Sequence, residues 1–245
     1  MKSYDDMVDM VLSQYFAGKK TLELGFFSGN HTPRFAKHAG ELTSIDVAQA
    51  SYDLAKKNLS AAEGGMPGNL TLMVMDAAKM AFPDASFHAV VSTSFHEMGA
   101  SQEAILAECD RVLGLDGADK TLIFSEPDIE SITNELFKVF DPKENHAARI
   151  VLTKARIQKF ASVNGYKILE LEPSVSHSKF TTEEELLDEM LAWWSDVKVP
   201  ADETEAAAMK TRIKEILTHK ASRDFKKLSV NEVSWNWVLT KPGLK

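Results

Sequence analysis

What this 245-residue chain lacks narrows its function before any motif is read. It has one cysteine, so no internal disulfide can form, as befits a cytoplasmic protein. That residue, Cys109, shares the apolar face of a helical stretch with Ile105, Val112 and Leu113, so it reads as core. There is no run of ~18 apolar residues, and no membrane span is expected. The first residues carry Asp5, Asp6 and Asp9 where a secretion signal would be basic and then apolar. Basic residues are outnumbered, 28 Lys and Arg against 36 Asp and Glu, for a net charge of −8. An acidic chain without a basic stripe is a poor candidate for gripping phosphate backbones. His31, His96 and His177 lack metal-ligand spacing, and no metal is expected.

What is present begins with Thr21-Leu22-Glu23-Leu24-Gly25-Phe26-Phe27-Ser28-Gly29-Asn30-His31-Thr32. It reads as a short apolar strand, a glycine turn, and a helix from about Asn30 to His38. Glycines without a Cβ let a ligand approach the backbone, and a helix start favours a polar or anionic group. The dinucleotide spacing G-x-G-x-x-G fails after Gly25, because Phe27 and Asn30 occupy the other glycine positions. Read as E-x-G-x-G-x-G, the segment resembles motif I of class I S-adenosylmethionine-dependent methyltransferases. Glu23, Gly25 and Gly29 match, and Phe27 takes the place of the middle glycine. The plain alternative is a strand-turn-helix with no ligand.

The resemblance continues downstream. A second strand, Glu41 to Asp46, ends in an aspartate 17 positions after Gly29. Such a carboxylate can accept from both ribose hydroxyls of an adenosine, or cap the next helix, or do both. A third strand, Leu70 to Met75, leads into Asp76-Ala77 and then Met80-Ala81-Phe82-Pro83-Asp84-Ala85-Ser86-Phe87-His88. This is similar to the run D-A-x-x-L-P-F-x-D-x-S-F-D-x-V of small-molecule methyltransferases of the ubiquinone-biosynthesis type, with His88 in place of the last aspartate. Ala89 to Thr93 makes a fourth strand, Ser94-Phe95-His96-Glu97-Met98 a loop, Gln102 to Leu113 a helix, and Thr121 to Ser125 a fifth strand. Glu126-Pro127-Asp128 closes the resemblance, which covers about residues 19 to 128.

The likeness implies an α/β, Rossmann-like seven-stranded sheet, mostly parallel with an antiparallel last strand and helices on both faces. A single domain over 1–245 is expected, with a helix or lid at 1–18 and a helical cap inserted at 174–230, before the last strand. The likeness further implies S-adenosylmethionine as cofactor and S-adenosylhomocysteine as product. Its site maps onto Glu23, Gly25, Phe27, Gly29, Asp46, Val47, Asp76, Ala77 and Ser92. Asp76 would hold the adenine amino group. The reaction implied is in-line methyl transfer to a small molecule. His96, and after it Glu97, is the candidate base, with His96 otherwise a binding or packing residue; Tyr15, Phe95, His96 and Trp194 are candidate substrate contacts.

Other readings stand beside these. The N-terminal helix, Ser3 to Phe16, is either a lid using Tyr4, Tyr15 and Phe16 or a packing helix using Met7, Met10 and Val11. Thr153 reads as the N-cap of a later helix that Gly165 ends. In the cap, one stripe is Leu186, Leu187, Met190, Leu191 and Trp194, and the other is Ala206, Met209, Ile213, Ile216 and Leu217. They pack inward, or Phe180, Trp193 and Trp194 wall an apolar substrate pocket or a homodimer contact. The competing functions are a methyltransferase of RNA or protein and a non-catalytic partner subunit, the latter because Phe27 could fill the methionine pocket.

Overall fold

The computed structural model describes residues 2–93, 95–129, 131–143, 145–192, 198–220 and 229–243. In chain order these form β1 (Lys2–Ser3), α1 (Tyr4–Tyr15), β2 (Lys20–Leu24), α2 (Thr32–His38), β3 (Glu41–Asp46), α3 (Gln49–Ala61), β4 (Leu70–Val74) and β5 (Ala89–Ser92). A 3-10 stretch, Phe95–Ser101, then precedes α4 (Gln102–Val112) and β6 (Lys120–Pro127). The remainder is α5 (Ile132–Phe140), α6 (His146–Asn164), β7 (Lys167–Lys179), α7 (Glu183–Ala192), α8 (Glu203–Lys220) and β8 (Ser229–Lys241). The chain divides into two compact units.

The larger unit comprises Asp5–Glu126, Leu152–Glu172 and Asn236–Lys245. Its sheet runs in the order β7-β8-β6-β5-β2-β3-β4, with β2 to β6 parallel and β8 antiparallel. This is the class I methyltransferase arrangement. Thr21 to Leu24 are all buried, as a central parallel strand covered on both faces requires. Succession passes outward from β2 to β3 and β4, then returns to the other side of β2 at β5. Such a reversal opens a crevice beyond the carboxyl ends of the strands, where ligands bind in open α/β sheets.

Helix α1 packs through Met7, Val8, Val11, Leu12 and Phe16, all buried, whereas Met10 faces outward, contrary to its expected place on the apolar stripe. The inward row falls at i, i+1, i+4 and i+5, one step round the helix from Met10. Phe16 meets Phe35 of α2 edge-on at 6.3 Å, and Asp9 reaches Arg34 and His38 of α2. In the described contacts α1 is therefore a packing helix.

The smaller unit comprises Met1–Tyr4, Pro127–Val151 and Pro173–Trp235. In it β1 pairs in parallel with the outer half of β7, a short strand the sequence did not announce. Both cap stripes turn inward. Leu186, Leu187 and Met190 of α7 and Met209, Ile213 and Leu217 of α8 form one core with Ile132, Leu136, Val139 and Phe140 of α5. Phe180 lies half-buried against that core, while Trp193 and Trp194 fall outside the described residues. Lys214–Glu183 and Lys210–Asp188 join α8 to α7. Strand β7 extends to Lys179, so the helical insertion starts about five residues later than position 174.

Two local expectations fail. Thr153 is not an N-cap: α6 begins at His146, and Asn145 caps it by accepting from the Ala148 N–H at 3.0 Å. The Thr153 hydroxyl instead sits buried inside the helix, where it accepts from Gln102 Nε2 at 2.8 Å. Helix α2 starts at Thr32, not Asn30, because Pro33 fits only the first turn of a helix and holds the start there.

Candidate functional site

At the carboxyl end of β2 the chain makes a turn with three left-handed residues, Gly25 (φ 71°), Phe27 (φ 43°) and Gly29 (φ 80°). Gly25 donates to the Ile45 carbonyl at 2.8 Å and Gly29 to the Phe26 carbonyl at 2.7 Å. The two glycines are required for packing as well as for backbone conformation. A Cβ at Gly29 would press on Ala55 and Leu59 of α3 at 3.3 Å, and one at Gly25 would meet Met98 Cε at 3.0 Å. Met98, from the loop after β5, thus lies against the turn. Phe27 has the conformation of a glycine and is 40% exposed.

Asp46, at the end of β3, is tied to this turn. Its Oδ2 accepts from the Phe27 N–H at 3.1 Å and its Oδ1 from the Ala48 N–H at 3.0 Å. Val47 beside it is 71% exposed. The Met75 N–H donates to the Asp46 carbonyl at 2.8 Å, which brings the exposed Asp76, just beyond β4, alongside. Asp76 Oδ1 accepts from the Ala78 N–H at 2.8 Å, and Ala77 is half-buried between them. Five expected site residues (Phe27, Asp46, Val47, Asp76 and Ala77) are thereby brought to the ends of three neighbouring strands.

Others lie elsewhere. Glu23 is buried beneath the turn, its carboxylate oxygens bonded by the Thr32 hydroxyl at 3.1 Å and the Ser44 hydroxyl at 2.6 Å. Burial pushes its carboxyl up to about 7, against the two hydroxyls, which favour the charged form. Shut off from solvent, it ties β2 to α2 and β3. Ser92 is also fully buried and donates to the Leu24 carbonyl at 3.4 Å, so it serves the sheet. Phe95 is fully buried, with its ring 5.0 Å from that of Phe124. Tyr15 ends α1 just before Ala17 and Gly18 join Ala39 and His38. That places it at the amino edge of the sheet, the full length of β2 from the glycine turn. Trp194 lies outside the described residues, as do the side chains of Tyr4 and His177. His31 is exposed beside the turn, its ring stacked on Phe35 at 6.4 Å.

His96 is buried and held from two sides. Nδ1 lies 2.5 Å from Glu126 Oε2 and Nε2 lies 3.0 Å from Glu97 Oε1. Burial works against its proton, but the Glu126 and Glu97 carboxylates outweigh it and push the imidazole up to about 9. At neutral pH it is an imidazolium donating through both nitrogens, which removes the lone pair a general base needs. His96 is a positioning cation.

Glu126, which the sequence reading passed over as a strand end, anchors the loop. Its oxygens also accept from the Phe95 N–H at 2.7 Å and the His96 N–H at 3.1 Å. Gln102 and Arg156 complete the hold: Gln102 Nε2 donates to the Phe95 carbonyl and Arg156 to the Gly99 carbonyl, each at 2.8 Å. On the other side, Arg111 of α4 donates to the Met80 and Phe82 carbonyls, and Glu108 accepts from the Met80 N–H. That clamp fixes the Met80-Ala81-Phe82-Pro83 run whatever its residue order. His88 Nδ1 accepts from the Lys20 N–H at 3.2 Å, at the amino edge and away from the site.

With this geometry in hand, the likeness to known proteins can be stated. A protein-family model for the methyltransferase domain matches residues 21–117. Among curated protein sequences none matches this chain. The YcgJ protein of Bacillus subtilis has a similar structure, with a TM-score of 0.61 at 15% identity, covering 98% of this chain and 97% of that one. A SAM-dependent methyltransferase from Aquifex aeolicus superposes with a TM-score of 0.53 at 17% identity, covering 69% of this chain and 84% of that one. Among the described residues no helix is long and apolar enough to cross a membrane. Residues 21–117 match the methyltransferase-domain family model, and they are carried on a sheet of the class I methyltransferase order.

Proposed function

We propose that the chain is an S-adenosylmethionine-dependent methyltransferase acting on a small molecule. The observation that carries this is the pairing of Asp46 and Asp76 at adjoining strand ends, with the first bonded to the glycine turn. The residues present suit an adenosyl group. Asp46 keeps acceptor capacity beyond its two backbone partners for ribose hydroxyls. Val47 offers an exposed apolar face to an adenine ring, and Asp76 an acceptor for its amino group. When bound, the cofactor supplies a methyl group activated by a sulfonium.

The protein's share of an in-line displacement is to hold two reactants in line and keep water out. The loop Phe95–Ser101 is suited to that, because Glu126, Gln102 and Arg156 fix its backbone and Met98 closes over Gly25. With His96 held as a cation, Glu97, bonded to the same ring, is the remaining candidate base in this loop. Acceptors that carry a free lone pair at neutral pH need no base. The net charge of −8 argues against RNA as acceptor.

The test is formation of S-adenosylhomocysteine with a panel of small-molecule nucleophiles, and with RNA and unmodified protein for comparison. Turnover on a small molecule alone supports the reading; turnover confined to RNA or protein overturns it. Asp46→Ala should raise the dissociation constant for S-adenosylmethionine at least about 10-fold, the scale of hydrogen bonds to a charged group. Unchanged affinity in calorimetric titration would remove Asp46 from the site.

A further inference from the structure

Given the cofactor reading above, we propose that the Phe27 ring is a specificity-determining contact that favours the sulfonium cofactor over its neutral thioether product. Three observations converge on this side chain. First, Phe27 occupies left-handed backbone at φ 43°, between two glycines that reach that region freely. An L side chain does so at a cost, and such strain gathers at ligand sites. Second, the residue is 40% exposed, which leaves part of its side chain open to a ligand. Third, the Phe27 N–H shares the Asp46 carboxylate, at 3.1 Å, with whatever that carboxylate holds.

Connectivity supplies the rest. In an adenosyl sulfonium the charged sulfur is joined to the ribose through one methylene. A residue whose backbone is bonded to the ribose-binding carboxylate therefore stands near the sulfur. An aromatic face within about 6 Å of a cation attracts it through the ring quadrupole, and more strongly once water is displaced. Methyl transfer removes that charge, leaving a thioether for which the ring offers only apolar contact. The ring thereby holds the reactant and loosens on the product, easing its release. A glycine at position 27 would relieve the backbone but could not tell the two apart.

The experiment is calorimetric titration of S-adenosylmethionine and S-adenosylhomocysteine into the wild type, Phe27→Leu and Phe27→Tyr. Leucine keeps an apolar side chain and the same backbone strain but has no quadrupole, so it isolates the aromatic effect. The sulfonium should bind roughly 3- to 10-fold more weakly to Phe27→Leu. The thioether should change by less than about 2-fold, and Phe27→Tyr should keep the wild-type ratio. Equal weakening of both ligands, no weakening, or tighter binding of both would overturn the proposal. A folded wild type that binds neither ligand overturns the cofactor reading itself, and this inference with it.

Discussion

Glu126→Ala is expected to destabilise the protein by about 3–5 kcal/mol, the usual cost of removing one partner from a buried ion pair. Glu126 is fully buried and receives the Phe95 N–H, the His96 N–H and the His96 ring. Removing it orphans two backbone donors and strips a buried imidazolium of its nearer counter-charge. With that attraction gone, burial favours loss of the His96 proton, so its pKa should fall from about 9. The wild-type link contributes stability in full below the ordinary histidine value of about 6.5, and loses it as pH rises through about 9. Urea denaturation at neutral pH measures the loss, and an NMR titration of His96 measures the shift. A loss under ~1 kcal/mol with an unmoved titration would mean that Glu126 does not hold the loop.

The second large effect concerns Glu23, and its sign is opposite. Its carboxyl titrates at about 7 in the folded protein against 4.5 ordinarily, raised chiefly by burial. The folded state therefore binds more protons than the unfolded chain between about pH 4.5 and 7. Stability from this group is complete below about 4.5 and is lost as pH rises to about 7. At about 1.4 kcal/mol per unit, the loss reaches roughly 3 kcal/mol. Glu23→Gln is neutral throughout and can still pair with the hydroxyls of Thr32 and Ser44. At pH 8 it should be more stable than the wild type by up to ~3 kcal/mol, and near equal at pH 4.5. Denaturation curves of both proteins across that range decide it. A constant offset at every pH would mean that Glu23 is not neutral when buried.

The parts of this protein legible in its sequence are those governed by local pattern. The strands leading to Gly25, Asp46 and Asp76 could be read because each is a short, partly apolar run with a punctuated end. The N-cap reading of Asp46 fails, because Ala48 is the N-cap of α3 and Asp46 accepts from the Ala48 N–H in a turn just before the helix. The parts that escaped depend on residues distant in the chain. Glu126 looked like the end of a strand because the amides it holds lie some 30 positions earlier. His96 looked like a base because nothing local reveals the second carboxylate on its ring, Glu126. Glu23, the acidic residue of the motif, looked like a ligand contact although burial and two hydroxyls commit it to the fold. Thr153 looked like a cap because its true partner, Gln102, belongs to another helix.

The measurement that bears most directly on the central claim is calorimetric titration of the purified protein with S-adenosylmethionine and S-adenosylhomocysteine. Micromolar binding of both is the expected result, with Phe27 accommodated at the turn and the adenosyl group held by Asp46 and Asp76. Binding of neither, by a sample whose circular dichroism shows it folded, would contradict a cofactor site here. It would instead favour a non-catalytic protein that keeps the methyltransferase fold.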